Sequence, residues 1–518
     1  MTVTTGSQGA GGDAPPPEGF FAATDPRTGE RLGLVPDMGP ADVQGAVGAA
    51  RVAFEAWSTL PFEARATHLL RVRDLLLDRL EDVVETICAE TGKLPAEALT
   101  NEILVVCETI GYYAAHGERF LRPQKVSPGM MSHKKAMTLY EPMGVVGVIS
   151  PWNYPLVLAM TPTITALFAG NTVVLKPSEV TPLVGRLIGD LFAQVGGHPD
   201  IVSVVTGGGA TGEALVRSGV QKVCFTGSVG TGKRVMAAAA DTLTPVLLEL
   251  GGKDPFVVCA DADVERAASG AVWGAFQNSG QTCMSVERVY VVDELHDRFV
   301  DAVVARTEAI RQGRGEGHDI GSMTFPPQVE TVERHVADAL AKGARAVTGG
   351  RRLPGREGLW YEPTVLVDVD HDMDVMRHET FGPVLPIMRV RDEDEAVRRA
   401  NDSPYGLNSS VWTTDLAKGR RLAGRIEAGN VCVNDVIISY GVAGLPFGGV
   451  KDSGIGRVHG PDGLRAFCNT KSVLIDRFGT ARELWWYPVP KGLFGVGKRI
   501  ARLRYRQGLG NKLRGLVR

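Results

Sequence analysis

From residue 145 onward, short apolar runs alternate with helical stretches, and this alternation restricts the fold more than any other feature. Residues 145–150 and 172–175 are apolar runs of the kind shown by parallel strands that are buried on both faces. Similar runs follow at 202–205, 223–225 and 245–250. Strands that alternate with helices predict an α/β fold with a doubly wound sheet and helices on both faces. Ligands bind at the carboxyl ends of such strands.

The alternation continues beyond residue 251 and predicts a second unit of the same kind. Its strands are expected at 257–258, 288–291 and 431–433, and its helices at 261–277, 295–312, 329–343 and 393–401. Upstream, 21–34 is expected to form a strand pair and 41–121 a set of helices that cover a sheet. A chain of 518 residues is long enough for both domains.

Cys283 lies in the polar stretch 277–285, with Gly280 three positions upstream. A buried structural cysteine usually has aliphatic neighbours instead. The pattern is typical of a loop that meets the start of a helix, where backbone N–H groups and the helix dipole favour a thiolate. An inert core thiol is the alternative interpretation of this stretch taken alone.

Two residues upstream have the chemistry that a nucleophilic cysteine needs. Glu249 lies between two leucines, and burial there is expected to raise the pKa of its carboxyl toward the range of a general base. Asn153 lies between two prolines, and its side-chain amide is a neutral donor suited to an oxyanion. The structural alternatives are a salt-bridged glutamate at a strand end and an Asx turn at the asparagine.

The segment 227–233 satisfies G-x-x-x-x-G-K, the first part of a phosphate-binding loop. The next residue is Arg234, where a nucleotide-hydrolysing loop carries a Ser or Thr for magnesium, so an ATPase is the weaker interpretation. The favoured one is a glycine turn at Gly227 before a helix that starts near Val229. The free N–H groups of that helix would face a pyrophosphate, and Ser228 would add a hydroxyl.

At this point the chain is seen to resemble the aldehyde dehydrogenase superfamily, from about Phe21 to about Arg477. The motifs that carry the resemblance follow one another in the family's order. They are Pro151-Trp152-Asn153, Val174-Leu175-Lys176-Pro177-Ser178-Glu179, Phe225-Thr226-Gly227-Ser228, Glu249-Leu250-Gly251-Gly252-Lys253, Gly280-Gln281-Thr282-Cys283, Glu379-Thr380-Phe381-Gly382-Pro383 and Pro446-Phe447-Gly448-Gly449.

Lys176 and Glu179 follow a predicted strand end, where together they can bind both hydroxyls of an adenosine ribose. The Glu179 carboxylate would repel a 2′-phosphate, which favours NAD over NADP; the alternative is an i, i+3 ion pair. The resemblance implies NAD as the cofactor and adds further contacts. These are Trp152, Gly227, Ser228, Glu379 at the nicotinamide ribose and Phe381 at the nicotinamide end.

The resemblance also implies a reaction. Cys283 attacks an aldehyde to give a thiohemiacetal, hydride transfer leaves a thioester, and Glu249 activates the water that hydrolyses it. Asn153 and the backbone N–H of Cys283 stabilise the oxyanion. Family members that transfer the acyl group to coenzyme A commonly lack the glutamate, so Glu249 predicts release of a carboxylic acid. No metal-ligand spacing is apparent, so no metal is expected.

The substrate is predicted to be an apolar aliphatic or aromatic aldehyde. Members similar to succinic semialdehyde dehydrogenases place arginines where this chain has Gln277 and Thr161, and without those cations a substrate carboxylate would be poorly held. A succinic semialdehyde-type enzyme and a catalytically silent scaffold are the alternatives. The residues suggested for an apolar tunnel, which are equally consistent with plain core, are Leu156, Leu158, Met160 and Met284.

These patterns divide the chain into predicted segments. They are a flexible tail at 1–19, an NAD-binding domain at 20–123 and 143–250, a catalytic domain at 251–451, an oligomerisation arm at 124–142 and 466–477, and a basic amphipathic tail at 484–518. The arm is a feature that the resemblance implies, and it predicts a homodimer or homotetramer.

Composition limits the partners and the compartment. The net charge of −3 gives no overall field for nucleic acid, and the seven scattered cysteines suit a reducing cytosol, so a cytoplasmic enzyme is expected. Residues 484–518 are an exception, with nine Lys/Arg, no acidic residue and three aromatics at their start. Such a tail is expected either to lie on an anionic membrane surface or to pack on a neighbouring subunit or on its own one.

Overall fold

The structure is a computed structural model that describes residues 15–508. The chain forms two compact units. The first comprises the described residues up to Arg122 together with Tyr140–Asn469, and the second comprises Pro123–Leu139 together with the described residues from Thr470. Most of the predicted flexible tail at 1–19 and the last ten residues of the basic tail lie outside the described residues.

The strands and helices follow one another in the order that the apolar runs predict. The strands are β1 (Phe20–Thr24), β2 (Arg31–Pro36), β3 (Gln124–Val126), β4 (Lys134–Pro142), β5 (Val145–Ile149), β6 (Thr172–Lys176), β7 (Val202–Val204), β8 (Lys222–Thr226), β9 (Val246–Glu249), β10 (Asp254–Val258), β11 (Val286–Val292), β12 (Arg345–Thr348), β13 (Thr364–Val367), β14 (Val384–Val390), β15 (Ser410–Trp412), β16 (Cys432–Val433), β17 (Gly454–Ile455) and β18 (Cys468–Asp476). The helices are α1 (Pro40–Trp57), α2 (Phe62–Asp78), α3 (Leu80–Thr91), α4 (Pro95–Ala98), α5 (Leu104–Leu121), α6 (Val157–Phe168), α7 (Pro182–Val195), α8 (Gly209–Arg217), α9 (Val229–Ala240), α10 (Val264–Phe276), α11 (Asp293–Glu308), α12 (Pro326–Ala341), α13 (Asp374–Arg377), α14 (Glu393–Asn401), α15 (Leu416–Ala423), α16 (Gly460–Arg465) and α17 (Leu493–Tyr505).

A six-stranded sheet in the order β17-β9-β8-β5-β6-β7 is parallel except for β17. Alternate residues of its strands belong to two different cores. Val145 and Val223 pack with α1 and α8, whereas Val146 and Cys224 pack with α2, α5, α6 and α7. Because both faces are buried, the strands are apolar except mainly at their ends, which confirms the predicted doubly wound sheet.

The second domain is built on a seven-stranded sheet in the order β12-β13-β14-β11-β10-β15-β16. Phe256 and Val289 on one face join the core that also covers the first sheet, while Val257 and Tyr290 on the other face form a separate core. The two sheets therefore share one continuous apolar layer. The strands β12, β13, β14 and β15 had no predicted counterpart.

One strand departs from the segments that the sequence predicts. β17 lies beyond the predicted catalytic segment 251–451 and yet returns to the first sheet, where Gly454 pairs with Glu249. A Cβ on Gly454 would lie 2.2 Å from the Leu248 carbonyl oxygen, and the residue has φ +146°, so this close return of the chain requires glycine. The catalytic glutamate candidate is thus fixed from both sides by sheet hydrogen bonds.

The second unit contains a three-stranded sheet in the order β18-β4-β3, so β18 is the neighbour that the sequence analysis expects for the arm. Lys134 forms ion pairs with Asp476, at 3.0 Å, and with Glu483. The helix α17 follows, and every residue of it is partly or fully exposed within the described chain.

Glu90 gives a test of how the N-terminal helices hold the first sheet. Its buried carboxylate on α3 accepts hydrogen bonds from the N–H groups of Leu183 and Val184, both at 2.8 Å, at the first turn of α7. Glu90→Ala leaves both amides buried without a partner, which costs about 1–3 kcal/mol for each such group. We expect a lower midpoint of urea unfolding. Glu85→Ala, on the exposed face of the same helix, is the control and should leave the midpoint unchanged.

Candidate active site

A cleft of about 200 Å³ lies where β5, β8 and β9 of the first sheet end. Eight of the predicted site residues line it together. They are Trp152, Asn153, Gly227, Ser228, Glu249, Cys283, Glu379 and Phe381. The parallel strands bring them to one edge of the sheet, as expected for a doubly wound fold.

The loop that carries Cys283 has an unusual backbone. Asn278, Ser279 and Gly280 all have positive φ, at 50°, 53° and 71°. A Cβ on Gly280 would lie 2.2 Å from the carbonyl oxygen of Gly382, so this position needs glycine both for its conformation and for its space. The glycine three residues before the cysteine therefore brings the loop against the segment that contains Phe381.

The oxyanion candidate Asn153 is buried and held from several directions. Its side-chain amide donates to the Gln281 carbonyl at 2.9 Å, in the cysteine loop. Its own carbonyl accepts from Asn278 Nδ2 at 3.0 Å and from Lys93 Nζ at 2.8 Å. One amide hydrogen of Asn153 remains for the cleft. The Asx turn considered for this residue is not what fixes it.

A buried ion pair supports this arrangement. Lys93 Nζ lies 2.5 Å from Glu102 Oε1, and neither side chain is exposed. The other Glu102 oxygen accepts from the N–H groups of Leu156 and Val157, at the start of α6. Since both charged groups bind the 153–157 segment, the pair acts as a clamp behind Asn153, the candidate oxyanion donor. Sequence analysis missed it, because the lysine and the glutamate lie far from any recognised motif.

The expectation of a helix start that favours a thiolate at Cys283 is wrong. The cysteine follows α10 and the 3₁₀ turn Gln277–Gly280 and precedes β11, so it does not lie at the start of a helix of its own segment. Burial raises the pKa of the Cys283 thiol, and the carboxylates of Asp254, Glu379 and Glu249 raise it further. The thiol is therefore the favoured form of this cysteine, and it needs a base to become a nucleophile.

Glu249 has the properties of such a base. Both of its carboxylate oxygens are buried without a hydrogen-bond partner in the described chain, and burial raises its pKa well above the usual value. It shares with Cys283 a small chamber of about 20 Å³ that is also lined by Thr161 and Tyr440. That volume fits roughly one water molecule. The salt-bridged alternative for this glutamate is wrong.

A tunnel of about 110 Å³ leads to Cys283 from the other side. Within the described part of the chain, none of the residues that line it carries a charge. They include Val105, Tyr154, Val157, Leu158, Trp273, Gln277, Met284, Ile438 and Tyr440. Of the four suggested tunnel residues, Leu158 and Met284 line it, whereas Leu156 and Met160 are fully buried in the core.

The remaining side of the cleft has features that fit a dinucleotide. Ser228 caps α9, where its hydroxyl accepts from Thr231 N at 3.3 Å, and the other first-turn N–H groups are available to a pyrophosphate.

Glu379 is held by the Gly252 N–H at 3.1 Å. Burial and the nearby Glu287 raise the pKa of Glu379 to about 8. The Lys253–Glu287 pair behind it, which sequence analysis missed, binds the N–H groups of residues 380 and 381.

Two predicted cofactor residues do not line this cleft. Lys176 Nζ bonds to Glu179 Oε2 at 3.0 Å, which is the i, i+3 ion pair considered as the alternative, with Lys176 buried and Glu179 half exposed. The phosphate-loop pattern is not a P-loop, because Gly230 and Gly232 lie within α9 and Lys233 pairs with Asp452 at 2.9 Å.

Comparison with known proteins gives the same class that the cleft suggests. The aldehyde dehydrogenase family matches residues 15–473. A 4,4'-diapolycopene aldehyde oxidase of Methylomonas sp is 45% identical over 470 residues, which cover 90% of this chain and 88% of that protein. A succinate-semialdehyde dehydrogenase (NADP(+)) of Escherichia coli K12 is 37% identical over 456 residues, 87% of this chain and 93% of that one.

Solved structures of aldehyde dehydrogenases have the same fold as this chain. The Mycobacterium tuberculosis aldehyde dehydrogenase complexed with NAD+ matches with a TM-score of 0.85 and 35% identity, over 90% of this chain and 97% of that chain. The chain belongs to the aldehyde dehydrogenase family, and it is an oxidoreductase that acts on aldehydes. The predicted resemblance and fold class are confirmed.

Proposed function

We propose that this enzyme oxidises an apolar aldehyde to the carboxylic acid with NAD, through a thioester on Cys283. The observation that carries the proposal is the uncharged tunnel that ends at the thiol, with the unpaired Glu249 carboxylate in a water-sized chamber beside it. Asn153 completes the group as the oxyanion donor.

The first half of the reaction needs a thiolate and an oxyanion site. Glu249, directly or through one water, takes the proton of Cys283, and the sulfur then forms a bond to the aldehyde carbon. The charge on the carbonyl oxygen is met by the free hydrogen of the Asn153 amide and by the Cys283 N–H. An NAD cofactor held by Ser228, Glu379 and Phe381 would supply the acceptor for the hydride of the carbon bonded to Cys283, and that carbon would then remain as a thioester.

The second half is hydrolysis. Glu249 first releases the proton of Cys283 to bulk water. It then accepts a proton from the attacking water, the hydroxide adds to the thioester carbon, and the carbon–sulfur bond breaks to release the acid and the thiolate. The carboxyl must be ionised for this step. Since burial raises its pKa, the rate of hydrolysis is expected to increase as the pH rises through that raised value.

The preference for NAD over NADP rests on Glu179, beyond the end of β6. Its half-exposed carboxylate is available to ribose hydroxyls and repels a 2′-phosphate. Lys176 would donate to the same sugar. Relatives whose names specify NADP(+) make this part of the proposal one that needs its own measurement.

The substrate class follows from desolvation. A carboxylate at the far end of the substrate would enter a tunnel without a cation, and burying an unpaired charge is costly. Gln277 lines that tunnel, and its Oε1 atom accepts from Asn101 at 3.1 Å. The relative named as a 4,4'-diapolycopene aldehyde oxidase is 45% identical to this chain, and the one named for succinate semialdehyde is 37% identical. The greater similarity to the former favours an apolar substrate.

The second unit suggests two kinds of contact. Its outer strand β18 exposes Leu474 and Ile475, and an exposed apolar edge favours pairing with another copy of the chain, as in a homodimer or homotetramer. The tail exposes Trp486, Tyr487 and Phe494 next to Lys498, Arg499 and Arg502. No helix of the described residues 15–508 is long and apolar enough to cross a membrane.

We propose that the tail lies on an anionic membrane surface in the cytoplasm. The residues Leu493, Val496, Ile500 and Leu503 recur at helical spacing along α17. Each basic residue near anionic lipid contributes about 1 kcal/mol, and the aromatic residues suit the headgroup region. The seven cysteines, all unpaired thiols, fit a reducing compartment.

Replacement of Glu249 tests its part in both halves of the reaction. We expect Glu249→Gln to lower steady-state turnover by about 10²–10⁴-fold, because proton transfer contributes that much. If the variant still forms the thioester, a burst of NADH stoichiometric with enzyme precedes the slow phase in stopped-flow measurements. Cys283→Ser should abolish the burst. The turnover of the wild-type enzyme should increase with pH, whereas that of Glu249→Gln should not. If the variant turns over as fast as the wild type, Glu249 is not the base.

A panel of aldehydes tests the substrate and the cofactor together. We expect kcat/KM for hexanal and benzaldehyde to exceed that for succinic semialdehyde by about 100-fold, or about 2.7 kcal/mol, because of the uncharged tunnel. Gln277→Arg should reduce that ratio, and Gln277→Met should not. The same panel is measured with NAD and with NADP. Glu179→Gln should raise kcat/KM for NADP, because it removes the carboxylate that repels the 2′-phosphate. A preference for succinic semialdehyde, or inactivity with every aldehyde, overturns the proposal.

Vesicle co-sedimentation tests the membrane contact. At low salt the full-length protein should pellet with vesicles that contain phosphatidylglycerol and remain in the supernatant with pure phosphatidylcholine. Arg499→Glu with Arg502→Glu should abolish pelleting, and the same charge change at exposed Arg420 and Arg421 on α15 is the control. Equal pelleting of the two variants contradicts membrane contact. A smaller particle mass of the tail variant in light scattering would show that the tail joins subunits instead.

A further inference from the structure

The tunnel that ends at Cys283 is short. Its volume of about 110 Å³ is smaller than the roughly 150 Å³ of an engineered apolar cavity that holds one benzene. A substrate with a longer apolar chain therefore extends past the outer residues of the tunnel. The path that the hydrocarbon chain of the substrate takes beyond the tunnel decides how the enzyme discriminates among apolar aldehydes.

A second chamber of about 450 Å³ adjoins the tunnel. Four residues, Thr100, Asn101, Trp273 and Gln277, line both spaces, so the two adjoin at the hydrogen bond between Asn101 and Gln277. Much of the second chamber is apolar. Its apolar wall is formed by Val272, Phe276, Ile310 and Ile320.

The charged residues of the chamber already have partners. Glu97 accepts from the N–H groups of Leu94 and Asn278, Arg306 pairs with Glu265 at 2.7 Å, and Asp319 pairs with Arg311 at 3.0 Å. They are therefore not the counter-charges that a substrate carboxylate or ammonium group would need. The chemistry of the chamber fits a hydrocarbon chain.

The backbone at the boundary is also irregular. The π-helical turn Leu99–Ile103 interrupts the helix between α4 and α5. Such turns are frequent at functional sites. This turn sets Thr100 and Asn101 against the two cavities while Glu102 remains in the buried clamp behind Asn153. One local distortion thus contributes both to the cavity boundary and to the support of the oxyanion donor.

We propose that the second chamber is a distal subsite for the apolar chain of a long aldehyde whose carbonyl end reaches Cys283 through the tunnel. This inference rests on the proposed oxidation of apolar aldehydes. Each CH₂ that leaves water for an apolar site favours binding by about fourfold. The value of kcat/KM should therefore continue to increase with chain length after the tunnel is filled.

Straight-chain aldehydes of about four to about sixteen carbons test the subsite, since each added CH₂ reports its own burial. Ala96 is exposed and lines the second chamber but not the tunnel, so Ala96→Trp fills the subsite from its rim. We expect this variant to lower the ratio of long-chain to short-chain kcat/KM by about tenfold or more. Leu104→Trp, at an exposed position that lines neither cavity, is the matched control and should leave the ratio unchanged.

The outcomes separate this inference from the proposed function. Oxidation of short apolar aldehydes with no gain for longer chains overturns the subsite and leaves the proposed function intact. A ratio that Ala96→Trp does not change, or that Leu104→Trp lowers equally, also overturns the subsite. Failure to oxidise any apolar aldehyde overturns the proposed function itself. Melting temperatures of both variants establish that the comparison is made between folded proteins.

Discussion

Burial of acidic groups without a counter-charge governs the chemistry of this cleft. Cys283, Glu249, Asp254 and Glu379 lie close enough for the carboxylates to raise the pKa of the thiol, and desolvation raises the pKa of each carboxyl. None of these groups is stable as an isolated anion there. The ionisation of each group is therefore coupled to the arrival of ligands that change the local field.

Such a cleft requires rigid support, and the support comes from buried pairs that themselves do no chemistry. Lys93 and Glu102 hold the segment of Asn153, while Lys253 and Glu287 hold the segment of Phe381. Both pairs are fully desolvated, so loss of either partner would leave an uncompensated charge. Because each pair binds backbone groups, it fixes the position of a loop and not only that of a side chain.

The substrate side of the site follows the opposite rule. The tunnel and the chamber beyond it present hydrocarbon, amide and hydroxyl groups, and the few charges nearby are already paired. An apolar aldehyde would also concentrate at membranes, where the exposed aromatic and basic residues of α17 are suited to lie. The proposed substrate and the proposed location of the enzyme thus have the same physical origin.

Local patterns in the sequence determined much of this protein. Apolar runs predicted β5, β6, β8 and β9 because strands buried on both faces have few polar positions, and Gly280 marked the cysteine loop because only glycine fits there. The tertiary structure alone decided what depends on residues distant in the chain. It returned β17 beside Glu249, joined Lys93 to the oxyanion segment, and assigned Leu158 to the tunnel but Met160 to the core. It also reversed the expected direction of the Cys283 pKa, since that direction depends on burial and on carboxylates that come together only when the chain folds.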